Sequence, residues 1–260
     1  MSVIYEEPYG LFQYVEADNS VPAEERALYT LPSSRTIVDI RQPLYDMRTS
    51  TNIVKGPDGL DVQGFTYLEH SSTLSGGDWF AGSNIEEIYI PEIIELICNI
   101  TGAKRAVVDS VQIRRRVANE EEEENIPNRK GQKHDQIGLK LAKDTVRVVG
   151  RDSEESIPPA RMVHVDYSLK GLRDTVRLAR KDIFETAKSA IDAEDRGESP
   201  RYACYSVWRP LKTIERDPLA VLDWRTTDKF ELVPYGESHP RSPKSTWKSS
   251  VVLDTIPTTQ

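Results

Sequence analysis

The order of strand-like and helix-like patterns along the chain constrains its fold more than any other feature. Short runs of β-type residues dominate, and only two stretches carry helical periodicity. The strand predictions cover 36–40, 62–68, 106–113, 161–167, 201–211 and 220–224, and the helix predictions cover 91–101 and 169–192. Because the helices lie among the strands without the regular alternation of a parallel α/β fold, we predict an α+β domain on an antiparallel sheet.

Both helix predictions depend on apolar residues spaced three and four apart. In 91–101, Pro91 stands at the first helical position and Gly102 follows the last turn, as at the ends of many helices. In 169–192 the apolar positions run from Leu169 to Ala190, and charged side chains occupy the other face. We expect each helix to bury one face and expose the other.

Three polar or irregular segments mark the ends of a central domain and a loop within it. Residues 1–34 are acidic and carry scattered aromatic residues, so we expect an N-terminal arm on a domain surface. Residues 119–136 include five consecutive glutamates and almost nothing apolar, which predicts a solvated loop. Residues 228–260 predict an irregular or divergent tail, because 235–260 are rich in Ser, Pro, Lys and Thr and only 251–253 suggest a strand. Residues 35–227 then form a single domain.

The balance of charges argues against some classes of partner. The 260 residues hold 34 Lys and Arg against 42 Asp and Glu, a formal net charge of −8, so nucleic acid or an anionic membrane is repelled on average. No apolar stretch approaches the ~20 residues that span a bilayer, and the N-terminal residues lack the features of a signal peptide. We expect a cytoplasmic protein with no nucleic-acid or membrane partner, and its oligomeric state stays open.

The clearest candidate for chemistry is the pair His164 and Asp166. On a strand, residues two apart project to the same face, so an imidazole and a carboxylate can take adjacent positions on one metal ion. The pair supplies two ligands of the 2-His-1-carboxylate triad that holds Fe(II). The alternative is a histidine hydrogen-bonded to a nearby carboxylate without a metal.

Several segments of the chain resemble one family. They are VQGFTYLEH (62–70), YIPEIIELICNITG (89–102), VQIRRR (111–116), VHVDY (163–167) and YSVWRPLKTIERDPLAVLDW (205–224). Over roughly 36–227 the chain resembles the fungal hydroxylase/desaturase family that includes gibberellin desaturase-like enzymes. The resemblance implies a double-stranded β-helix (jelly-roll) core with flanking helices. It also implies an Fe(II)- and 2-oxoglutarate-dependent oxygenase of natural-product biosynthesis that acts on a small organic substrate.

The resemblance also assigns candidate residues. His164 and Asp166 match the first two iron ligands, and in the family a histidine further along the chain is the third. His239 is the remaining candidate here, 75 residues after His164, in a turn-forming sequence without a strand to aim the ring. Apart from the resemblance, Arg209 in Trp208-Arg209-Pro210 is a candidate to bind a carboxylate of the substrate or of 2-oxoglutarate, with a salt bridge to a carboxylate such as Asp217 or Asp223 as the alternative.

The last part of the chain departs from the family pattern, because no arginine follows His239 on a strand. The departure leaves open a jelly roll that is incomplete at its C-terminal end. Two alternatives to the oxygenase therefore stay open. One is a non-oxidative or metal-free relative on the same scaffold, acting as a binding protein, cyclase or isomerase. The other is an inactive truncated homologue.

Overall fold

A computed structural model describes residues 8–16, 36–115, 145–151, 156, 159–160, 162–178, 180–228, 232–237 and 248–253. Within these residues the strands form three two-stranded sheets. The antiparallel pairs are β1 (Tyr9–Glu16) with β2 (Thr36–Pro43), and β5 (Leu232–Glu237) with β6 (Lys248–Leu253); the parallel pair is β3 (Ser110–Gln112) with β4 (Arg147–Val149).

Within the same residues, two helices lie between β2 and β3 and two lie between β4 and β5. They are α1 (Gly59–Val62), α2 (Ile90–Thr101), α3 (Leu169–Leu178) and α4 (Lys181–Asp195). A π-helical turn, Ile85–Tyr89, leads directly into α2, and 3-10 turns span Gly76–Phe80 and Trp224–Thr226.

The main apolar core lies where α2 and the turns before it meet β3 and β4. Its buried members are Leu74, Trp79, Ile85, Tyr89, Ile90, Ile93 and Ile113. The rings of Trp79 and Tyr89 meet edge to face with centroids 5.0 Å apart, a favoured aromatic geometry. Val111 of β3 and Val148 of β4 pack against this cluster. The parallel strand pair is therefore held by the helix rather than by further strands.

Two sequence predictions are confirmed closely. The helix predicted over 91–101 is α2, and Gly102 after it adopts the left-handed conformation (φ 69°) while its N–H bonds the Cys98 carbonyl. This is the C-terminal geometry that glycine permits. The strand predicted over 36–40 forms the first part of β2. Local periodicity with clear end signals was sufficient for α2, and a short run of β-type residues was sufficient for the first part of β2.

The prediction of one helix over 169–192 is wrong, because the helix is interrupted between α3 and α4. The backbone of Arg180 is extended, with ψ 147°. Its side chain is only 10 % exposed, and its guanidinium donates to the carbonyls of Val108 and Asp109, both at 2.7 Å, and to the Asp182 carboxylate at 2.8 Å. These contacts stabilise the non-helical backbone of Arg180, which the helical pattern of the sequence does not indicate.

The strand predicted over 62–68 is also wrong. Gln63 is fully buried, and its side-chain amide accepts from Val54 N at 2.8 Å and donates to the Val54 and Phe65 carbonyls at 2.7 and 3.0 Å. The amide thus occupies the backbone groups that a neighbouring strand would pair with. Residues 54–65 wrap around this side chain instead of entering a sheet.

Other strand predictions are confirmed only in part or are wrong. Of 106–113, only Ser110–Gln112 forms a strand, and of 161–167, Met162 forms a parallel bridge with Gln13. Residues 201–211 form no strand, and 220–224 are irregular up to the 3-10 turn at Trp224. The last two segments keep large apolar side chains exposed, so they lack the packed face that would stabilise a strand.

The predicted domain limits stay predictions. β1 lies within 1–34, where an arm is expected, and it buries Tyr14 and Val15; β5 and β6 lie within 228–260, where an irregular tail is expected. The charged segment 119–136 lies outside the described residues. The three sheets do not close a barrel within the part of the chain that is described, and the jelly roll stays a prediction.

Gly150 lies in close contact with the backbone of Ile113. It follows β4 with φ 89°, and a Cβ placed on it would lie 2.1 Å from the Ile113 carbonyl oxygen. Val149 accepts the Ile113 N–H at 2.8 Å, so the two chains meet just beyond the end of the sheet. Only a glycine fits this contact.

Among the helices that the structure describes, none combines the length and apolar character needed to cross a bilayer.

We expect Arg180→Met to lower the free energy of unfolding by about 2 kcal/mol, because it leaves the Val108 and Asp109 carbonyls without a charged donor. Urea unfolding followed by circular dichroism measures the change. Arg196→Met is the matched control, since Arg196 pairs with Glu198 at the surface, 60 % exposed, and should change little. Equal effects of the two substitutions would contradict this role of Arg180.

The Arg180 guanidinium lowers the pKa of Asp182 below its ordinary 3.8, chiefly through their hydrogen bonds. The carboxylate therefore contributes stability above pH 3.8 that is lost as the pH falls through the lowered folded-state pKa. We expect the stability difference between the native chain and Asp182→Asn to be constant near neutrality and to shrink below ~pH 5. In an Arg180→Met background this pH-dependent difference should disappear; its persistence would assign the shift to another group.

Candidate metal centre

The segment that carries His164 and Asp166 is held against β1. The Val163 N–H donates to the Gln13 carbonyl at 2.8 Å, and Met162 forms its bridge with the same residue. After this contact the chain runs to the start of α3 at Leu169. The segment is thus fixed by one strand on its N-terminal side and by a helix on its C-terminal side.

The structure brings the imidazole and the carboxylate together. His164 Nε2 lies 3.4 Å from Asp166 Oδ1, and the two side chains are 37 % and 55 % exposed. An ion with bonds of ~2.1 Å in octahedral geometry separates adjacent donors by about 3 Å. The observed spacing therefore suits two donors of one cation. A metal role for the pair stays a prediction, since the same spacing suits a hydrogen bond.

The atoms that point away from this contact are anchored. His164 Nδ1 lies 2.8 Å from the Met162 carbonyl oxygen, which can only accept, so Nδ1 carries a proton and donates it. Ser206 Oγ donates to Asp166 Oδ2 at 2.6 Å. Each side chain thus has one atom fixed by protein and one atom facing its partner. This matches the outer-shell arrangement of protein metal ligands.

The pair also favours a positive charge between its members. The hydrogen bond with Asp166 raises the pKa of His164 above its ordinary value, against the opposing effect of burial. The same contact lowers the pKa of Asp166, and the bond from Ser206 adds to this. The charge of Arg114 lowers the pKa of both groups. A proton or a cation between Nε2 and Oδ1 would satisfy both groups.

Among the described residues, no third His, Cys, Asp or Glu joins the pair in a cluster that could hold a metal. His239 lies in 238–247, outside the described residues. The expectation that no strand aims its ring stays a prediction; β5 ends at Glu237 and β6 begins at Lys248. β6 contacts both β1 and α3, the elements on either side of the His164 segment.

Neither salt bridge considered for Arg209 is present. Asp217 pairs with Arg216 at 3.0 Å, and Asp223 pairs with Arg225 at 2.6 Å.

Arg209 instead contacts His70 and Tyr89. Its Nη1 donates to the His70 carbonyl at 2.9 Å, its Nη2 contacts His70 Nδ1, and its guanidinium lies over the Tyr89 ring, 5.6 Å from the centroid. Its Nε is buried and has no hydrogen-bond partner within the described part of the chain. Arg209 therefore joins the irregular segment 205–224 to the start of α2.

Sequence reasoning missed Ser206 and the exposure of Trp208. Trp208 is 51 % exposed and packs against Arg114, whose guanidinium carbon lies 5.3 Å from the ring centroid. Ser206 and Trp208 are two residues apart, which places them on one side of an extended segment. That spacing was the available signal, although their partners lie far away in sequence.

Comparison with known proteins agrees with the resemblance in the sequence. A family model described as "Oxidoreductase/YMDC permease-like domain" matches residues 13–252. Oxidoreductase chry3 of Gibberella zeae is 30 % identical over 253 residues, covering 89 % of this chain and 66 % of that protein. The gibberellin cluster GA4 desaturase of Gibberella fujikuroi is 29 % identical over 216 residues, covering 75 % and 63 %.

A third relative is the alpha-ketoglutarate-dependent dioxygenase tstK of Talaromyces stipitatus, 24 % identical over 251 residues, which cover 96 % of this chain and 76 % of that protein. The chain spans slightly less than two thirds of the length of chry3 and of the GA4 desaturase. The relatives of this chain thus include an oxidoreductase and a desaturase. Because the family model matches most of its length, the chain belongs to the oxidoreductase/YMDC permease-like family.

Proposed function

We propose that the chain is an Fe(II)- and 2-oxoglutarate-dependent oxygenase that hydroxylates or desaturates a small organic molecule in fungal natural-product biosynthesis. The observation that carries the proposal is the 3.4 Å approach of His164 Nε2 to Asp166 Oδ1, with the outer atom of each side chain anchored. The names of two relatives, an alpha-ketoglutarate-dependent dioxygenase and a GA4 desaturase, support the class of reaction.

Bound iron would supply the oxidising chemistry of the reaction. Hydroxylation converts R–H, O2 and 2-oxoglutarate to R–OH, succinate and CO2. Desaturation removes two hydrogens from the substrate and releases water in place of the alcohol oxygen. The protein's own task is to bind the reactants and to hold the ligands in a fixed arrangement.

His164 and Asp166 are the proposed iron ligands. The bond from His164 Nδ1 to Met162 leaves the lone pair of Nε2 free for a metal, and the Asp166 carboxylate supplies negative charge beside it. We propose His239 as the third ligand, on the family resemblance and on the position of the strands that flank it. The donor set of one carboxylate and two imidazoles suits Fe(II).

Arg209 is proposed to bind a carboxylate of 2-oxoglutarate or of the substrate. Its buried Nε lacks a hydrogen-bond partner among the described residues, so one donor is available. Both terminal nitrogens contact His70, and a two-pronged contact with a carboxylate would require His70 to move. The proposal therefore assigns Nε as the first donor to the carboxylate. His70 would move when a terminal nitrogen of Arg209 binds the carboxylate as well.

A metal-free relative is the second candidate. It is favoured by the finding that only two donors meet within the described residues. In that case the His164 and Asp166 pair would transfer a proton to or from a bound small molecule. Tight, stoichiometric iron that Asp166→Ala abolishes would exclude it.

We expect anaerobic Fe(II) and 2-oxoglutarate to give the native protein a weak visible charge-transfer band. His164→Ala and Asp166→Ala should abolish the band and weaken Fe(II) binding more than tenfold, because each removes a donor of the pair. His134→Ala is the control and should leave the band unchanged, because His134 lies in the charged segment 119–136 and is not among the proposed ligands. A native protein that shows neither the band nor succinate formation would contradict the proposal.

His239→Ala tests the third ligand in the same titration. It should match His164→Ala in loss of the band. An intact band in His239→Ala beside its loss in His164→Ala would place the third donor elsewhere in the chain.

We expect Arg209→Lys to weaken 2-oxoglutarate binding about tenfold, because an ammonium group replaces the planar donor at this position. Titration of the charge-transfer band with 2-oxoglutarate measures the dissociation constant. Arg216→Lys is the control, since Arg216 pairs with Asp217 at the surface. An unchanged dissociation constant in Arg209→Lys would limit Arg209 to its contact with His70.

A further inference from the structure

Ser206 lies in an irregular, exposed segment and still contacts the donor pair, which is His164 and Asp166. It is 40 residues from Asp166, and its Oγ donates to Asp166 Oδ2 at 2.6 Å, a short charge-assisted hydrogen bond. The other carboxylate oxygen, Oδ1, is the one that faces His164 Nε2. The serine and the histidine therefore divide the two oxygens of one carboxylate between them.

An aspartate without such a bond has considerable freedom. The terminal torsion of its carboxylate is broad and nearly two-fold, so the group can rotate between one-oxygen and two-oxygen contacts with a cation. Asp166 is 55 % exposed, so packing alone does not fix this angle. A donor on Oδ2 both sets the angle and draws charge from the oxygen that should not bind.

A second contact holds Ser206 in place. Trp208 stands two residues further along, and Arg114 lies over its ring at 5.3 Å. Arg114 also acts electrostatically on both His164 and Asp166. Residues 206–208 are thus tied to the neighbourhood of the pair at two points, on the side where alternate residues of an extended segment project.

The same geometry argues against a nucleophilic serine. An attacking serine donates its proton to an imidazole, which acts as its base. Ser206 donates to the carboxylate, and the imidazole of His164 makes its own contacts with Met162 and Asp166. The serine here orients a group and does not react.

We propose that Ser206 is a positioning residue: it holds the Asp166 carboxylate so that Oδ1 alone faces the cation beside His164. This inference depends on the proposed metal site and adds the device that sets the binding mode of its carboxylate. Outer-shell hydrogen bonds of this kind are worth 10- to 100-fold in metal affinity.

Co(II) titration of the full chain tests the inference without turnover. Ser206→Ala should weaken Co(II) binding about tenfold and change the intensity and position of the visible Co(II) bands, because the carboxylate can then bind through both oxygens. Ser206→Thr keeps the hydroxyl and should restore both the affinity and the spectrum. Ser83→Ala removes a similar serine-to-carboxylate bond, to Glu87, and should change neither.

The outcomes distinguish failure of the metal site from failure of the positioning role of Ser206. A native chain that does not bind Co(II), or that binds it unchanged after Asp166→Ala, overturns the metal site and with it the role of Ser206. Native binding that Asp166→Ala abolishes, with an unchanged affinity and spectrum in Ser206→Ala, overturns the positioning role alone. A loss in Ser206→Ala that Ser206→Thr does not restore also overturns it, because the hydroxyl would not be the cause.

Discussion

The largely buried guanidinium of Arg180 connects the helices α3 and α4 to the parallel strands β3 and β4. Its donors reach the carbonyls of Val108 and Asp109, just before β3, and the Thr145 carbonyl, just before β4. The same residue separates α3 from α4, so the helices that follow the donor pair are fixed relative to the parallel strands. A charged group with little water around it must be satisfied by protein atoms, and Asp182 supplies the balancing charge.

The donor pair depends on contacts from several distant parts of the chain. β1 holds the backbone at Val163, Met162 orients His164, and Ser206 orients Asp166. Two groups that both carry lone pairs would repel each other without a proton or a cation between them. Anchoring from outside keeps this arrangement in place, as metal sites require of their outer shell.

The sequence predicted local features better than distant ones. α2 follows from periodicity and end signals, the first part of β2 follows from a run of β-type residues, and the approach of His164 to Asp166 follows from their spacing of two residues. The break at Arg180 and the side-chain pairing of Gln63 with Val54 could not be predicted from periodicity, because both depend on buried hydrogen bonds with groups that adjacent residues do not reveal. The bond from Ser206 to Asp166 joins residues 40 apart and was missed for the same reason.

The close approach at Gly150 lies next to the segment that leads into Arg114. One added methyl group would press on the Ile113 carbonyl, which also accepts from Ser156 Oγ at 3.0 Å. Ile113 is followed directly by Arg114, whose charge acts on both His164 and Asp166. A larger residue at position 150 would therefore displace the backbone that leads into Arg114, and the effect would not be confined to the end of the parallel sheet.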